Sequence, residues 1–387
     1  MGRSNSIFGV RSPSASPDDS TRRRPEVDFD PVAFLEDAVK TPSHEDIAEM
    51  RQLLVSTIEA QGFAAHVDDA GNTISTRETD EPGPHVVLNT HIDTVAPHVE
   101  FSRDGDIIRG RGSCDAKGPL TALLVAFFDT DLQRGKLTLA ITPDEEVKST
   151  GAAALDLDGD AYIVGEPTGL DVCNAAKGRF EGTITVRGEN AHAAEPQSGV
   201  NAITGAGHVL RALETFLDRD DAPPVHEELG AATLEPTMIR GGTATNQIPA
   251  ECEIVVDRRS VPPETSDSFE HLLETHLREN VPDVEFDVTY DFEFTDRPTP
   301  FLEAWETDPE GKLAQTLAAA SGGAIRPFSA ATEASYFAHD APTVVFGPGL
   351  LADGNEPVAH SPNEYVLVSA VEAAAEAVTE TVAAFLS

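Results

Sequence analysis

Short apolar segments alternate with helical patterns along much of this chain, and several of the segments end close to a histidine or a carboxylate. Val86–Asn89 precedes His91, and Ala161–Gly165 precedes Glu166. The alternating apolar residues of 137–141 lead into an acidic turn. This alternation predicts an α/β fold with a mainly parallel sheet and helices on both faces. Sites in such sheets lie beyond the C-terminal strand ends, so we expect these side chains to meet at one edge.

The middle of the chain follows a different pattern, which predicts an inserted α+β domain of the ferredoxin-like type. Its predicted elements are a strand at Thr183–Arg187, a helix at Ala202–Leu217, strands at Thr233–Ile239 and Ala250–Asp257, a helix at Ser266–Asn280 and a strand with alternating Val284, Phe286, Val288 and Tyr290. The α/β pattern resumes after Pro298. We therefore expect a discontinuous α/β domain (28–176 and 295–387), an inserted domain (177–294) and a disordered N-terminal tail (1–27).

The chain is strongly acidic, with 67 Asp and Glu residues against 27 Lys and Arg and a net charge of -40. Such a surface repels nucleic acid and anionic membrane, so neither is expected as a partner. Because the acidic residues are spread along the whole chain, they favour a halophilic cytoplasm over an acidic interaction tail. The three widely spaced cysteines, Cys114, Cys173 and Cys252, predict no disulfide framework and fit a reducing cytoplasm.

The polar residues near the strand ends are of the types that bind divalent cations. In chain order they are His91, Asp93, Asp115, Glu145, Glu146, Glu166 and His360. Carboxylates interleaved with imidazoles suit a pair of such ions, for which we expect Zn²⁺ or Co²⁺. Two cations that share a water generate hydroxide at neutral pH and stabilise the oxyanion of an attacked amide. The pattern therefore predicts a two-metal amide hydrolase.

Several motifs of medium length occur in an order typical of one enzyme family. They are Asn89–Val95, Arg111–Gly118, Thr142–Glu146, Gly165–Thr168, Gly241–Asn246, Gly347–Gly349 and Ala359–Tyr365. From about Asp30 to the C-terminus the chain resembles the zinc-dependent aminoacylase and carboxypeptidase G metallopeptidase family, and within it the acetylornithine deacetylase and succinyl-diaminopimelate desuccinylase group. An ordered set of motifs is much more specific than a single His-x-Asp.

The resemblance implies a role for each metal-ligand residue. Asp115 would bridge both cations, because one carboxylate offers an oxygen to each. His91 and Glu166 would complete one site, and Glu146 and His360 would complete the other.

Two further acidic residues are expected to orient ligands and move protons. Asp93 would accept the second N–H of His91 and fix its tautomer, although it is alternatively a residue of a turn at the strand end. Glu145 would take a proton from the attacking water and return it to the departing amine. An acidic doublet in so acidic a chain would by itself be only a solvated loop, but the preceding strand and the other ligands favour catalysis.

The resemblance also implies substrate contacts and a homodimer formed through the inserted domain. His192 would reach the active site of the partner subunit and donate to the oxyanion. Asn246 would contact the substrate, and Arg259 would bind the α-carboxylate of the substrate through two hydrogen bonds. Arg258 replaces the usual apolar or aromatic residue, so the sequence leaves open which arginine faces substrate.

Two residues near the C-terminus are further candidates for substrate binding. Gly347 lies in a family motif. Glu333 either binds a cationic substrate side chain, such as the amine of ornithine, or is an acidic residue at a helix N-terminus. Lys177 is a candidate for the hinge between the two domains.

The resulting prediction is hydrolysis of the amide bond between a small acyl group and an amino acid, with acetylornithine deacetylase-like activity in amino-acid biosynthesis first. Succinyl-diaminopimelate desuccinylase, another deacylase, or a di- or carboxypeptidase would use the same site. A non-catalytic binding module is the alternative of another class. Loss of Glu145 or of a ligand would favour that module, and the sequence retains all of them.

Overall fold

Twenty strands are present in a computed structural model that describes residues 29–281 and 288–387. The predicted tail lies outside the described residues, as do Val284 and Phe286 of the predicted last strand. In chain order the strands are β1 His66–Val67, β2 Thr73–Glu78, β3 His85–His91, β4 Ser102–Asp104, β5 Ile107–Arg109, β6 Lys136–Thr142, β7 Ala161–Gly165, β8 Val172–Ala176, β9 Gly178–Arg187, β10 Ala191–His192, β11 Thr233–Gly241, β12 Gln247–Ile248, β13 Glu251–Ser260, β14 Thr289–Phe294, β15 Trp305–Glu306, β16 Ile325–Phe328, β17 Thr343–Phe346, β18 Ala352–Asp353, β19 Glu356–Pro357 and β20 Tyr365–Leu367.

Nine α-helices lie in the same described ranges. They are α1 Pro31–Lys40, α2 Ala48–Ala60, α3 Lys117–Asp129, α4 Thr150–Ala153, α5 Ala202–Glu214, α6 Ser266–Asn280, α7 Lys312–Ser321, α8 Ala334–Phe337 and α9 Val368–Leu386. The first of them shows how local sequence sets a boundary. Asp30 caps α1 by accepting from the backbone N–H groups of Val32 and Ala33, and Pro31 occupies the first helical position.

The largest sheet has the order β1-β2-β6-β3-β7-β17-β8-β15, with β16 beside β8. Its four central strands, β6, β3, β7 and β17, run parallel. They are almost continuously apolar and buried, as expected for strands covered on both faces. The predicted α/β fold with a mainly parallel sheet is confirmed, with antiparallel strands at both edges.

Helices cover this sheet and form the main hydrophobic core with it. Helix α3 is buried almost all round, and α1 and α9 pack against it. The final helix begins at Val368, because the preceding residues Tyr365–Leu367 pair with β5. Among the described residues, no helix combines the length and apolar character that a bilayer crossing requires.

A separate antiparallel sheet has the order β11-β13-β9-β14 and packs against α5 and α6. Burial alternates along β9 and β13, which places one face of this sheet on a second core. Strand order and helix placement match the predicted ferredoxin-like arrangement. The short ribbon β10–β12 is an addition that the sequence did not predict.

Candidate metal centre

The structure brings the five predicted metal ligands together at one edge of the large sheet. They form two groups that share Asp115, and within each group the ligand atoms lie within 4.8 Å of one another. One group is His91, Asp115 and Glu166, and the other is Asp115, Glu146 and His360. His91 ends β3, while Glu146 and Glu166 follow β6 and β7. Because these strands are parallel, their C-terminal ends meet at the same edge.

Asp115 lies between the two histidines. Its Oδ1 is 3.2 Å from Nε2 of His91, and its Oδ2 is 3.2 Å from Nε2 of His360. Glu146 Oε1 is 3.1 Å from the same nitrogen of His360. Burial opposes ionisation of Asp115, but hydrogen bonds to His360 and His91 hold its pKa well below the usual range. Hydrogen bonds with Asp115 and Glu146 raise the pKa of His360 to about 10.

Two further carboxylates of the centre, Glu145 and Glu166, lie close to other acidic groups. Burial raises the pKa of Glu166 to about 8, and Asp115 and Glu146 add to this rise. Burial also raises the pKa of Glu145 well above its ordinary value, and Glu166 contributes to that shift. Such a concentration of buried carboxylates requires compensating positive charge. Two divalent cations therefore fit the donor set in number, charge and ligand type.

Asp93 connects a metal-ligand histidine to the acidic turn after β6. Its Oδ1 accepts a hydrogen bond from the backbone N–H of Glu145, and its Oδ2 accepts one from Glu146, both at 3.0 Å. Nδ1 of His91 lies 3.3 Å from Oδ1 and 3.1 Å from the carbonyl oxygen of Asp93. With both acceptors beside Nδ1, the proton of the neutral ring belongs there, which leaves the lone pair of Nε2 free to bind a cation.

A buried ion pair that the sequence reasoning missed supports the Asp115 and His360 side of the centre. Arg111 Nη1 lies 2.7 Å from Glu364 Oε2, and the two side chains are 2% and 1% exposed. Glu364 Oε1 accepts from the backbone N–H groups of Cys114 and Asp115. Arg111 also donates to the carbonyl oxygen of His360, which adopts a left-handed backbone with φ 61°. Both charged residues lie in quoted motifs, but sequence spacing did not show that they pair.

Glu333 is buried, with 1% of its surface exposed, and contacts the last residue of β6. Its Oε2 accepts a hydrogen bond of 2.7 Å from Thr142, while Oε1 has no hydrogen-bond partner among the described residues. Burial raises the pKa of Glu333 to about 8 despite the bond from Thr142. Helix α8 begins after Glu333, yet the side chain makes no capping hydrogen bond. The neighbouring Thr332 donates from Oγ1 to Glu166 Oε1 at 3.3 Å, a contact that the motifs did not predict.

His192 is the last residue of β10, and Asn246 directly precedes β12, the strand paired with it. The backbone N–H of Ala193 donates to the carbonyl oxygen of Asn246 at 2.9 Å. Both side chains are exposed. No hydrogen bond or ion pair in the described part of the chain joins them to the metal-ligand residues.

The two adjacent arginines of β13 have different surroundings. Arg258 is fully buried and bonds Glu264 through Nε and Nη2, at 2.9 Å and 2.8 Å. Its guanidinium also lies over the rings of Phe216 and Phe269. The side chain of Arg259 is 42% exposed and lies 2.7 Å from Asp257. Arg258 is thus an internal residue of the inserted domain, and Arg259 is the arginine available to a ligand.

The other residues singled out from sequence have packing contacts. A Cβ on Gly347 would lie 2.6 Å from the carbonyl oxygen of Glu166, and the Gly347 N–H donates to Thr168. Cys114 is fully buried. Lys177 lies between β8 and β9 and donates to the carbonyl oxygen of Ala231 at 2.6 Å.

Comparison with known proteins identifies relatives across nearly the whole chain. Residues 174–285 match the family described as a peptidase dimerisation domain. The chain is 32% identical over 361 residues to an acetylornithine deacetylase from Myxococcus xanthus, covering 86% of this chain and 90% of that relative.

Two solved structures show the same fold. The aminopeptidase PepT from Bacillus cereus has a TM-score of 0.74 and 20% identity, covering 91% of this chain and 97% of that chain. A dinuclear metal-binding peptidase of the M20 family from Bacillus subtilis has a TM-score of 0.67 and 14% identity, covering 92% and 97%. At these identities the structural likeness bears on the fold alone.

Proposed function

Because the chain belongs to the M20 peptidase family of metal-dependent hydrolases, we propose that it cleaves the amide bond of an N-acyl amino acid, with N-acetylornithine as the leading substrate. The observation that carries the hydrolase mechanism is the placement of Asp115, with one oxygen 3.2 Å from His91 and the other 3.2 Å from His360. The choice of N-acetylornithine is supported by the 32% identity to an acetylornithine deacetylase.

The five ligand residues would hold two cations, Zn²⁺ or Co²⁺, in two half-sites. The first half-site is His91, Asp115 and Glu166, and the second is Asp115, Glu146 and His360. When bound, the cations would lower the pKa of the attacking water and polarise the acyl carbonyl group. Asp115 belongs to both half-sites and would fix their separation.

Glu145 is proposed as the group that moves the proton. It adjoins Glu146, and its raised pKa suits a carboxylate that accepts a proton near neutral pH. Glu145 would accept the proton of the water whose oxygen bonds to the acyl carbon, and would donate it to the nitrogen as the C–N bond breaks. Asp93 would orient Glu145 by accepting its backbone N–H, and His91 through Nδ1.

Substrate recognition is proposed to involve both subunits of a homodimer, with residues 177–294 acting as lid and dimerisation domain. The exposed side chains of Ile203, Met238 and Ile239 lie on α5 and β11, and β11 is an edge strand. An edge strand with apolar neighbours favours self-association. His192 of one subunit would then donate to the oxyanion formed in the other.

Asn246 and Arg259 are proposed to bind the substrate, with Arg259 gripping its α-carboxylate. Gly347 would contribute close packing beside Glu166, because its N–H is already bonded to Thr168. Glu333 would meet a cationic side chain through Oε1, the oxygen without a partner among the described residues. An ammonium group at that position would be desolvated and would stabilise the charged carboxylate.

Amine release by the purified protein, with Zn²⁺ or Co²⁺ and molar KCl, tests this proposal. The panel comprises N-acetylornithine, N-succinyl-diaminopimelate, other N-acyl amino acids and dipeptides, each with and without chelator. Chelator-sensitive turnover greatest on N-acetylornithine is expected. If the enzyme prefers the succinyl substrate or dipeptides, N-acetylornithine is the wrong substrate, but the proposed mechanism still holds. Absence of turnover on every substrate, with metal bound, would favour a binding module.

A further inference from the structure

We propose that Thr332 is a positioning residue for Glu166 and that it sets metal affinity mainly in the first half-site. The first half-site is His91, Asp115 and Glu166, and the second is Asp115, Glu146 and His360. This inference rests on the metal-ligand roles proposed above, and it goes beyond them by assigning separate structural supports to the two half-sites.

The contact itself involves two buried side chains. Thr332 is 1% exposed and Glu166 is 6% exposed. Thr332 Oγ1 donates to Glu166 Oε1 at 3.3 Å, and this is the only hydrogen bond that the Glu166 side chain accepts among the described residues. When one oxygen of a carboxylate is held by a hydrogen bond, the other oxygen is held in position to bind a cation. Hydrogen bonds of this kind to metal ligands typically affect metal affinity by about 10- to 100-fold.

The residue after Thr332 is hydrogen-bonded to the end of β6, beside His91. Glu333 Oε2 accepts from Thr142 at 2.7 Å, and Thr142 pairs with His91 in the parallel ladder of β3 and β6. The carbonyl oxygen of Thr332 accepts from the backbone N–H of Ser335 at 3.2 Å. Thr332 therefore links the Glu166 carboxylate to the same strand end that positions His91.

The second half-site has a different support. Arg111 donates to the carbonyl oxygen of His360, and Glu364 accepts from the backbone N–H of Asp115. Within the described ranges, no hydrogen bond joins this ion pair to Thr332 or Glu333. The two half-sites share Asp115, but among the five candidate ligands the Thr332 side chain is bonded only to Glu166, which belongs to the first half-site alone. A change at Thr332 should therefore weaken one half-site and leave the other nearly unaltered.

The experiment is a Zn²⁺ titration of the metal-free protein against a chromophoric chelator, which resolves two binding constants without using substrate. Thr332→Val and Thr332→Ala remove the hydroxyl, and Thr332→Ser retains it. Thr381→Val is the matched control, because Thr381 is fully buried in α9 and its hydroxyl bonds the Ala377 carbonyl at 2.8 Å. Circular dichroism establishes that each variant is folded.

We expect Thr332→Val and Thr332→Ala to weaken one binding constant by about 10- to 100-fold, with the other within about 3-fold of wild type. Thr332→Ser and Thr381→Val should retain both constants. If Thr332→Val and Thr332→Ala leave both Zn²⁺ binding constants unchanged, or lower both equally, the inference is overturned. The proposed function would remain intact. A wild-type protein that binds fewer than two ions would contradict the proposed function and this inference together.

Discussion

Replacing Asp93 by asparagine should impair catalysis although Asp93 is not proposed to bind metal. Each carboxylate oxygen of Asp93 accepts one backbone N–H, from Glu145 and from Glu146, at 3.0 Å. Asparagine has the same shape but only one acceptor oxygen, so one N–H would face an amide NH₂ donor. The negative charge beside Nδ1 of His91 would also be lost.

The magnitude follows from the hydrogen bond that Asp93→Asn removes. A hydrogen bond to a charged group contributes about 1.5–3 kcal/mol. If its loss appears wholly in the transition state, kcat/KM falls by about 10- to 150-fold, since about 1.4 kcal/mol corresponds to a factor of ten. Because the turn carries both a proposed ligand and the proposed proton carrier, metal affinity should weaken as well.

The assay is steady-state hydrolysis of N-acetylornithine at saturating metal, with Zn²⁺ titrated separately into the metal-free variant. Asp106→Asn is the control, because Asp106 also accepts two hydrogen bonds, from the backbone N–H and the hydroxyl of Ser369, but lies on the surface. The control should retain wild-type kinetics. If Asp93→Asn keeps kcat/KM and metal affinity within twofold of wild type, the orienting role of Asp93 is refuted.

Three further outcomes are expected. Glu145→Gln should lower kcat by about 10²- to 10⁴-fold with two bound ions retained, and a loss below tenfold would exclude it as the proton carrier. Glu264→Gln should lower the free energy of unfolding by about 3–5 kcal/mol, because the fully buried Arg258 loses its charged partner. Urea denaturation measures this loss, which should be much smaller when Arg258 and Glu264 are replaced together by apolar residues. Burial raises the pKa of Glu166 and Glu333 to about 8, so the metal-free folded protein binds more protons than the unfolded chain from about pH 4.5 to pH 8. The Tm of the metal-free protein should therefore fall as the pH rises through this window. The fall should be smaller in Glu333→Gln. A Tm that rises with pH would contradict the raised pKa values of Glu166 and Glu333.

The sequence predicted the edge of the sheet at which the candidate metal ligands meet, because the strands have a recognisable apolar pattern and a polar residue close after them. His91 and Glu166 needed only local patterns and the rule for parallel strands. The ferredoxin-like order of the inserted domain was predictable for the same reason. The antiparallel edges were not, because β1 and β15 have two residues each and carry no periodic signal.

The supports of the metal centre could not be predicted, because they join residues far apart in the chain. Arg111 and Glu364 are separated by 253 positions, and Thr142 and Glu333 by 191. Their pairing depends on how loops from different strands meet, which residue type and spacing do not specify. The burial of Arg258 against Glu264 likewise appears only in the structure, and it supports Arg259 as the proposed substrate contact.

The distribution of the ligands along the chain has a consequence for protein synthesis. His360 comes 194 positions after Glu166, and the whole inserted sheet is made between them. At about 5–20 residues per second, a nascent chain would carry His91, Asp115, Glu146 and Glu166 for roughly 10–40 s before His360 is added. During that interval the second half-site lacks its only imidazole, so the emerging chain offers only the carboxylates of Asp115 and Glu146 there. Metal loading of the finished centre is thus confined to a chain in which His360 has already been made.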